Sequence, residues 1–389
     1  MVKIPYGRQD INQADVDAVV AVLRSDFLTQ GPAVPAFEKA VASYCGAQHS
    51  VAVNSATSAL HIACLALGVG KGDVVWTTPI TFVASANCAL YCGAAVDFVD
   101  IDPRTYNLSV DRLAEKLAQA EKTGTLPKVV IPVHLCGQPC DMASIYALSQ
   151  QYGFRIIEDA SHAIGGRYKD EPIGNCRYSD ITVFSFHPVK IITSGEGGMA
   201  VTNDPHLIKR MRLLRSHGIS SDAADMHPRP PDEIWNYQQI GLGFNYRMTD
   251  IQAALGLSQM LRLDEFVARR HAIAQRYDQL LSSMPLLVPW QHAEGYSSYH
   301  LYVIRLKLGK ISNTHRQVYE ALGKADIQVN LHYIPVYRQP HYEQMGFVNG
   351  YCPEAEGYYS EVISIPMYPA LGGSQQDSVV AALREAIGA

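Results

Sequence analysis

Seven short runs rich in β-branched and aliphatic residues recur through residues 50–202, each set apart from the next by a longer segment. They are SVAVN (50–54), VVWTT (74–78), AVDFVD (95–100), KVVIPV (128–133), RIIED (155–159), ITVFSF (181–186) and GMAVT (198–202). Several lack in/out alternation, as strands covered on both faces do. Helical patterns fill many of the gaps, at 55–67, 80–91, 109–121 and 141–152. Strand and helix in alternation predict an α/β fold around a seven-stranded, mostly parallel sheet. Ligands of such sheets gather beyond the carboxyl ends of the strands, which singles out Asn54, Asp159 and Ser185.

After Arg247 the texture changes. Residues 249–283 form a long amphipathic stretch opened by Thr249 and Asp250 as cap candidates, and predict a long connecting helix. YHLYVIRL (299–306), a helix near 314–323 and DIQVNLHYIPVY (326–337) follow. Two domains are expected: a large one over 1–248 and a smaller C-terminal α/β domain over 249–389. The stretch 221–239, with three prolines and many polar residues, reads as a long loop, of the kind that is functional or mobile in a compact protein.

A hydrophobic fraction of 48% and a charged fraction of 18% suit a well-buried enzyme. Lys and Arg total 32 against 37 acidic residues, and without a dense basic run nothing points to a nucleic-acid partner. MVKIPYGRQD lacks the apolar stretch of a signal peptide, and no run reaches membrane-spanning length, so a cytoplasmic location is expected. The eight cysteines are scattered, and Cys136 and Cys140 stand one residue too far apart for a C-x-x-C motif. Buried, reduced thiols and no metal are expected.

The chemistry is concentrated in three segments. FSFHPVKIITSGEGG (184–198) places Lys190 among Phe184, Phe186, Val189, Ile191 and Ile192. Its stem could lie on apolar surface with the head in water. A desolvated amine would instead shed its proton and attack carbonyls. NSATSALHIACLALG (54–68) opens a helix after a strand, where free N–H groups, Ser55 and Thr57 could hold an anion, or Ser55 could simply cap. GVGKGD (68–73) precedes a strand and so does not match a nucleotide loop. IIEDASHAIGG (156–166) ends a strand at Asp159, with His162 three residues on. An anion site, a carboxylate able to keep a pyridinium nitrogen protonated and a lysine in apolar surroundings together match the needs of pyridoxal phosphate. On that combination Lys190 is the Schiff-base lysine.

The chain resembles the pyridoxal-phosphate-dependent sugar aminotransferases of the DegT/DnrJ family, which have the aspartate aminotransferase fold (fold type I). The likeness is carried by LTQGP (28–32), NSATSAL (54–60), TTPITFVASAN (77–87), EDASHAIGG (158–166), FSFHPVKIITSGEGG (184–198), RSHG (215–218), GFNYRMTDIQAALGLSQ (243–259) and HYIPVY (332–337). It implies that Lys190 holds the cofactor covalently, Asp159 pairs with the pyridine nitrogen, Phe82 stacks on the ring and His162 lies near the phenolic oxygen. Ala56, Thr57 and Ser185 would hold the phosphate, and Asn245 would reach the phosphate site of a neighbouring subunit in a homodimer with shared active sites. Tyr6, Asp26, Phe27, Leu28, Thr29, Asn330, Leu331, His332 and Tyr333 fall where relatives contact the sugar nucleotide, as do Ala56, Ser185 and Asn245. A dehydrating branch of the family carries histidine at the lysine position, and Lys190 argues against it here. Ser194 departs from a frequent threonine without expected consequence. FSFHPVKIIT and LTQGP most resemble the branch serving pseudaminic acid biosynthesis, which implies L-glutamate and 2-oxoglutarate as donor pair, pyridoxamine phosphate as intermediate form, and a UDP-linked 4-keto-6-deoxy-N-acetylhexosamine aminated at C4. The alternatives are another 4-keto hexose or amination at C3, then a lyase, then a non-catalytic sugar-nucleotide binder.

Overall fold

The apolar runs become the seven strands of one sheet: β1 (His49–Val53), β2 (Val74–Thr77), β3 (Ala95–Phe98), β4 (Val129–Ile131), β5 (Arg155–Asp159), β6 (Ile181–Ser185) and β7 (Gly198–Thr202). The computed structural model describes residues 3–228, 232–233 and 235–388. The strand order is β1-β7-β6-β5-β4-β2-β3. Only β7 runs against its neighbours, antiparallel to both β1 and β6, while the other pairings are parallel. Every residue of β6 and β7 is buried, which is why their sequences show no alternation.

Helix Ala56–Ala66 follows β1 and is N-capped by Ser55, whose hydroxyl accepts from Ser58 N–H at 3.1 Å. The helix after β2 spans Ala84–Tyr91, four residues shorter than the predicted 80–91. The segment before it bends over 79–81, where the Pro79 carbonyl accepts from the Val336 N–H at 2.9 Å, and Thr81 and Phe82 stay outside the helix.

The stretch 249–283 is two helices, Asp250–Met260 and Leu263–Leu281, rather than one. Leu261 and Arg262 close the first with N–H bonds to Ser258 and Gln259, three residues back, and Arg262 leaves helical dihedrals at φ −111° and ψ 8°. The Arg262 guanidinium is meanwhile held by Asp10 at 2.8 Å and Asp15 at 2.7 Å. Thr249 caps as predicted, in a capping box with Gln252. Asp250 caps a different helix: its carboxylate accepts from the N–H groups of Gly31, Ala33 and Val34, at the start of Ala33–Cys45.

A second, antiparallel sheet joins Leu286–Leu287, Tyr302–Leu306 and Val362–Ile365. Helices His315–Lys324 and Gly373–Ile387 share a separate apolar core with it. Ile4, near the chain start, belongs to this core and bridges to Ile327. Over 221–239 the described residues make turns, and a short pairing of Ile219–Ser220 with Gln238–Gln239 closes the loop at its base. All eight cysteines are free, with Cys92 and Cys136 half-buried and the rest buried. Among the described residues no helix is long and apolar enough to cross a membrane.

Candidate active site

Strand alternation at the end of β5 turns Glu158 and Asp159 to opposite faces. Glu158 meets His134 Nε2 at 2.8 Å and the hydroxyl of Thr182 at 3.2 Å. Asp159, only 4% exposed, meets a different set. Its Oδ2 accepts from the Ser85 hydroxyl at 2.6 Å, while Oδ1 accepts from Ser161 N–H at 3.1 Å and Ser161 Oγ at 2.6 Å.

Lys190 sits in the turn after β6. Phe186 anchors that turn: its carbonyl accepts from Ser194 N–H and the Thr193 hydroxyl, and its N–H donates to the Gly197 carbonyl. The residue is half-buried, yet loss of hydration brings its amine down to about 8, against the opposing pull of the Asp159 carboxylate. Loss of hydration is what the second reading of the sequence, a desolvated amine, calls for.

His162 is buried, and burial holds its imidazole well below the ordinary range, helped by the Lys190 and His332 charges. Cys136 N–H donates to its Nδ1 at 3.3 Å, which leaves the ring proton on Nε2, facing the Tyr333 hydroxyl at 3.3 Å. His332, pushed down to about 3 mainly by burial, lies with its ring 5.6 Å from that of Tyr6. Its Nδ1 pairs with the Ser364 hydroxyl and its Nε2 approaches Asn330 Nδ2 at 3.4 Å. Leu331, between them, is partly buried. Phe82, 59% exposed, stands 6.4 Å from the Tyr333 ring. Residues distant in sequence thus meet, Tyr6, Phe82, His162 and Asn330 to Tyr333, with Asp159 and Lys190 near enough for their charges to act on one another.

The N-terminus of Ala56–Ala66 lies against β7 beside Ser185, which pairs with Gly198 across the sheet. A Cβ on Gly198 would sit 2.5 Å from the Ala56 nitrogen and the Ser55 carbonyl, so only glycine lets helix and strand come this close. Ser55 is spent on capping. The N–H groups of Ala56 and Thr57 are among those a helix start leaves unpaired, and they suit an anion.

Two expected groups are not joined to this cluster within one chain. Asp26, Phe27, Leu28 and Thr29 are exposed and tied to the far helix, with the Leu28 carbonyl accepting from Asp250 N–H and Thr29 bridging Thr249. Asn245 is exposed and bridges Ser216. Conversely, sequence reading passed over Thr81, Ser85, Ser161 and His300, whose ring lies 4.4 Å from that of His162. The available signal was a polar pair four residues apart, Thr81 and Ser85, inside the otherwise apolar TFVASA.

Residues 9–384 match the model of the DegT/DnrJ/EryC1/StrS aminotransferase family. The chain belongs to this family. The spore coat polysaccharide biosynthesis protein SpsC of Bacillus subtilis is 38% identical over 387 residues, 99% of this chain and 97% of that one. Among solved structures, Helicobacter pylori PseC, an aminotransferase involved in pseudaminic acid biosynthesis, superposes with a TM-score of 0.90 at 29% identity over 99% of both chains. The putative sugar aminotransferase Spr1654 of Streptococcus pneumoniae gives 0.89 in its pyridoxamine phosphate form, at 29% identity over 99% of this chain and 98% of that one. Its pyridoxal phosphate form gives 0.88, at 28% identity over 99% of both chains.

This DegT-family chain is therefore a pyridoxal-phosphate-dependent sugar aminotransferase of the aspartate aminotransferase fold, working with a nucleotide sugar and an amino donor. Its residues fit the cofactor on their own geometry. Gly198 lets a helix N-terminus that could take the phosphate lie against β7, Lys190 offers a desolvated amine, and Asp159 a buried carboxylate.

Proposed function

We propose that the enzyme transfers the amino group of L-glutamate to C4 of a UDP-linked 4-keto-6-deoxy-N-acetylhexosamine. The product would be UDP-4-amino-4,6-dideoxy-N-acetyl-β-L-altrosamine, made in the cytoplasm for pseudaminic acid by a homodimer. The observation that carries this reading is the likeness to PseC over 99% of both chains.

Pyridoxal phosphate, when bound, supplies the electron sink that stabilises a carbanion. The chain does the rest. Lys190 Nζ, unprotonated in roughly a tenth of molecules at pH 7, is the nucleophile toward the carbonyl and then the carrier of one proton. Asp159 would serve as a fixed negative partner for the ring nitrogen. His162 would lie near the phenolic oxygen, and Phe82 would stack on the ring. Ala56, Thr57 and Ser185 would hold the phosphate, with Asn245 contributed by a second subunit. The sugar nucleotide lies against Tyr6 and Asn330 to Tyr333, completed by Asp26 to Thr29. In this reading residues 1–248 serve the cofactor and 249–389 form the smaller domain.

The 38% identity to SpsC favours a second reading, in which a different nucleotide-linked keto hexose is aminated, at C4 or C3, for a polysaccharide. A panel of nucleotide keto-sugars with glutamate decides between them, by kcat/KM and by NMR of the product. The first reading expects the amine at C4 and at least tenfold lower kcat/KM on a 4-keto sugar lacking the 2-acetamido group, since a missing partner strands buried polar groups. Equal efficiency on the two sugars, or an amine at C3, would sink it.

A further inference from the structure

We propose that Ser85 is a positioning residue that fixes Asp159 Oδ2 for the cofactor's ring nitrogen. The inference rests on the reading of Asp159 as partner of that nitrogen. It starts from the direction of two hydrogen bonds. Ser85 Oγ has one hydrogen and two oxygen partners at short range, Asp159 Oδ2 at 2.6 Å and Thr81 Oγ1 at 2.7 Å. A carboxylate oxygen only accepts, so the Ser85 hydrogen goes to Asp159. Thr81 must then be the donor to Ser85. The result is a one-way relay from Thr81 through Ser85 to Asp159, with the three residues 2%, 0% and 4% exposed. No solvent is at hand to replace any member of it.

A carboxylate has about four lone-pair sites. Oδ1 receives two donors, Ser161 N–H and Ser161 Oγ, and Oδ2 receives one, Ser85. The site left for a fourth donor is on Oδ2, beside the Ser85 hydroxyl. Ser85 and Ser161 are not equivalent in this. Removing the Ser161 hydroxyl leaves its backbone N–H on Oδ1, whereas removing the Ser85 hydroxyl leaves Oδ2 with no protein donor. Ser85 also lies in the first turn of Ala84–Tyr91, three residues after Phe82. One helix start thus sets both the ring-covering aromatic and the aim of the carboxylate.

The test compares Asp159→Asn, Ser85→Ala, Ser85→Thr and Thr81→Val, each reconstituted with pyridoxal phosphate labelled with 15N in the ring. The 15N chemical shift reports protonation of the ring nitrogen without reference to turnover. Ser85→Ala should move the shift toward the unprotonated value and lower kcat by about tenfold to a hundredfold, with KM for glutamate within about twofold. Ser85→Thr, which keeps the hydroxyl, should restore both, and Thr81→Val should move both in the same direction by less. Ser85→Ala with an unchanged 15N shift, while Asp159→Asn moves it, overturns the role of Ser85 alone. No movement in Asp159→Asn overturns the reading beneath it. Should Ser85→Ala not fold, Thr81→Val decides: a wild-type 15N shift there refutes the relay.

Discussion

A lysine amine in water holds its proton to about pH 10.4, which leaves almost none free to attack a carbonyl at neutrality. At Lys190 desolvation lowers that point to about 8, and the Asp159 carboxylate limits the fall. The folded amine therefore binds its proton more weakly than the unfolded one does. The free base grows as pH rises toward 8 and saturates above it. Covalent capture of pyridoxal phosphate by the apoprotein should accelerate about tenfold per pH unit below 8 and level off above. Stopped-flow absorbance across pH 6 to 10 measures it, and borohydride reduction should fix the label to Lys190. A profile still rising steeply at pH 10, or a label on another lysine, would defeat the assignment. Lysine and aspartate were legible here because a charge inside an apolar run is rare. Ser85 was not, since serines are common and only its partners distinguish it.

At the scale of elements, one reversed strand organises the phosphate end of the site. β7 runs antiparallel between β1 and β6 and brings Gly198 under the first turn of Ala56–Ala66. Gly198→Ala would place a Cβ 2.5 Å from the backbone of Ser55 and Ala56, atoms that no rotamer change can move. The helix start must shift, so the Kd for pyridoxal phosphate should rise at least tenfold and stability should fall by about 1–3 kcal/mol. Fluorescence titration and thermal unfolding test this. Wild-type affinity in a folded variant would show that the cradle does not depend on this approach. The break at Leu261–Arg262 belongs to the same scale. The apolar periodicity runs on across it, and the pull comes from Asp10 and Asp15, more than 240 residues away in sequence.

For the whole molecule, the unjoined residues matter most. Asp26 to Thr29 and Asn245 are exposed in the single chain, with Phe27 and Leu28 still 54% and 49% exposed. A second subunit that completes the site would account for both groups. Lys190→Ala and Asn245→Ala chains, each inactive alone, should then recover activity when mixed and allowed to exchange. In a mixed dimer one site carries both lesions and the other carries none, so up to about a quarter of wild-type activity is expected from equal mixing. Verified exchange without recovery would place Asn245 in its own chain's site.

Strand positions and the α/β class were already determined by local pattern, because buried strands leave marks within a few residues of themselves, and the same short range made Lys190 and Asp159 candidates. β5 and β7 fall where their apolar runs do, at Arg155–Asp159 and Gly198–Thr202. What the pattern could not carry is direction and partnership. That β7 runs backwards, that Asp250 caps Ala33–Cys45 rather than its own helix, and that Ile4 packs in the C-terminal core are decided by contacts between segments far apart in the chain. The hydroxyl relay onto Asp159 is of this kind. A serine acquires its role from what stands 2.6 Å away, and that distance exists only once β5 and the helix at Ala84 have packed.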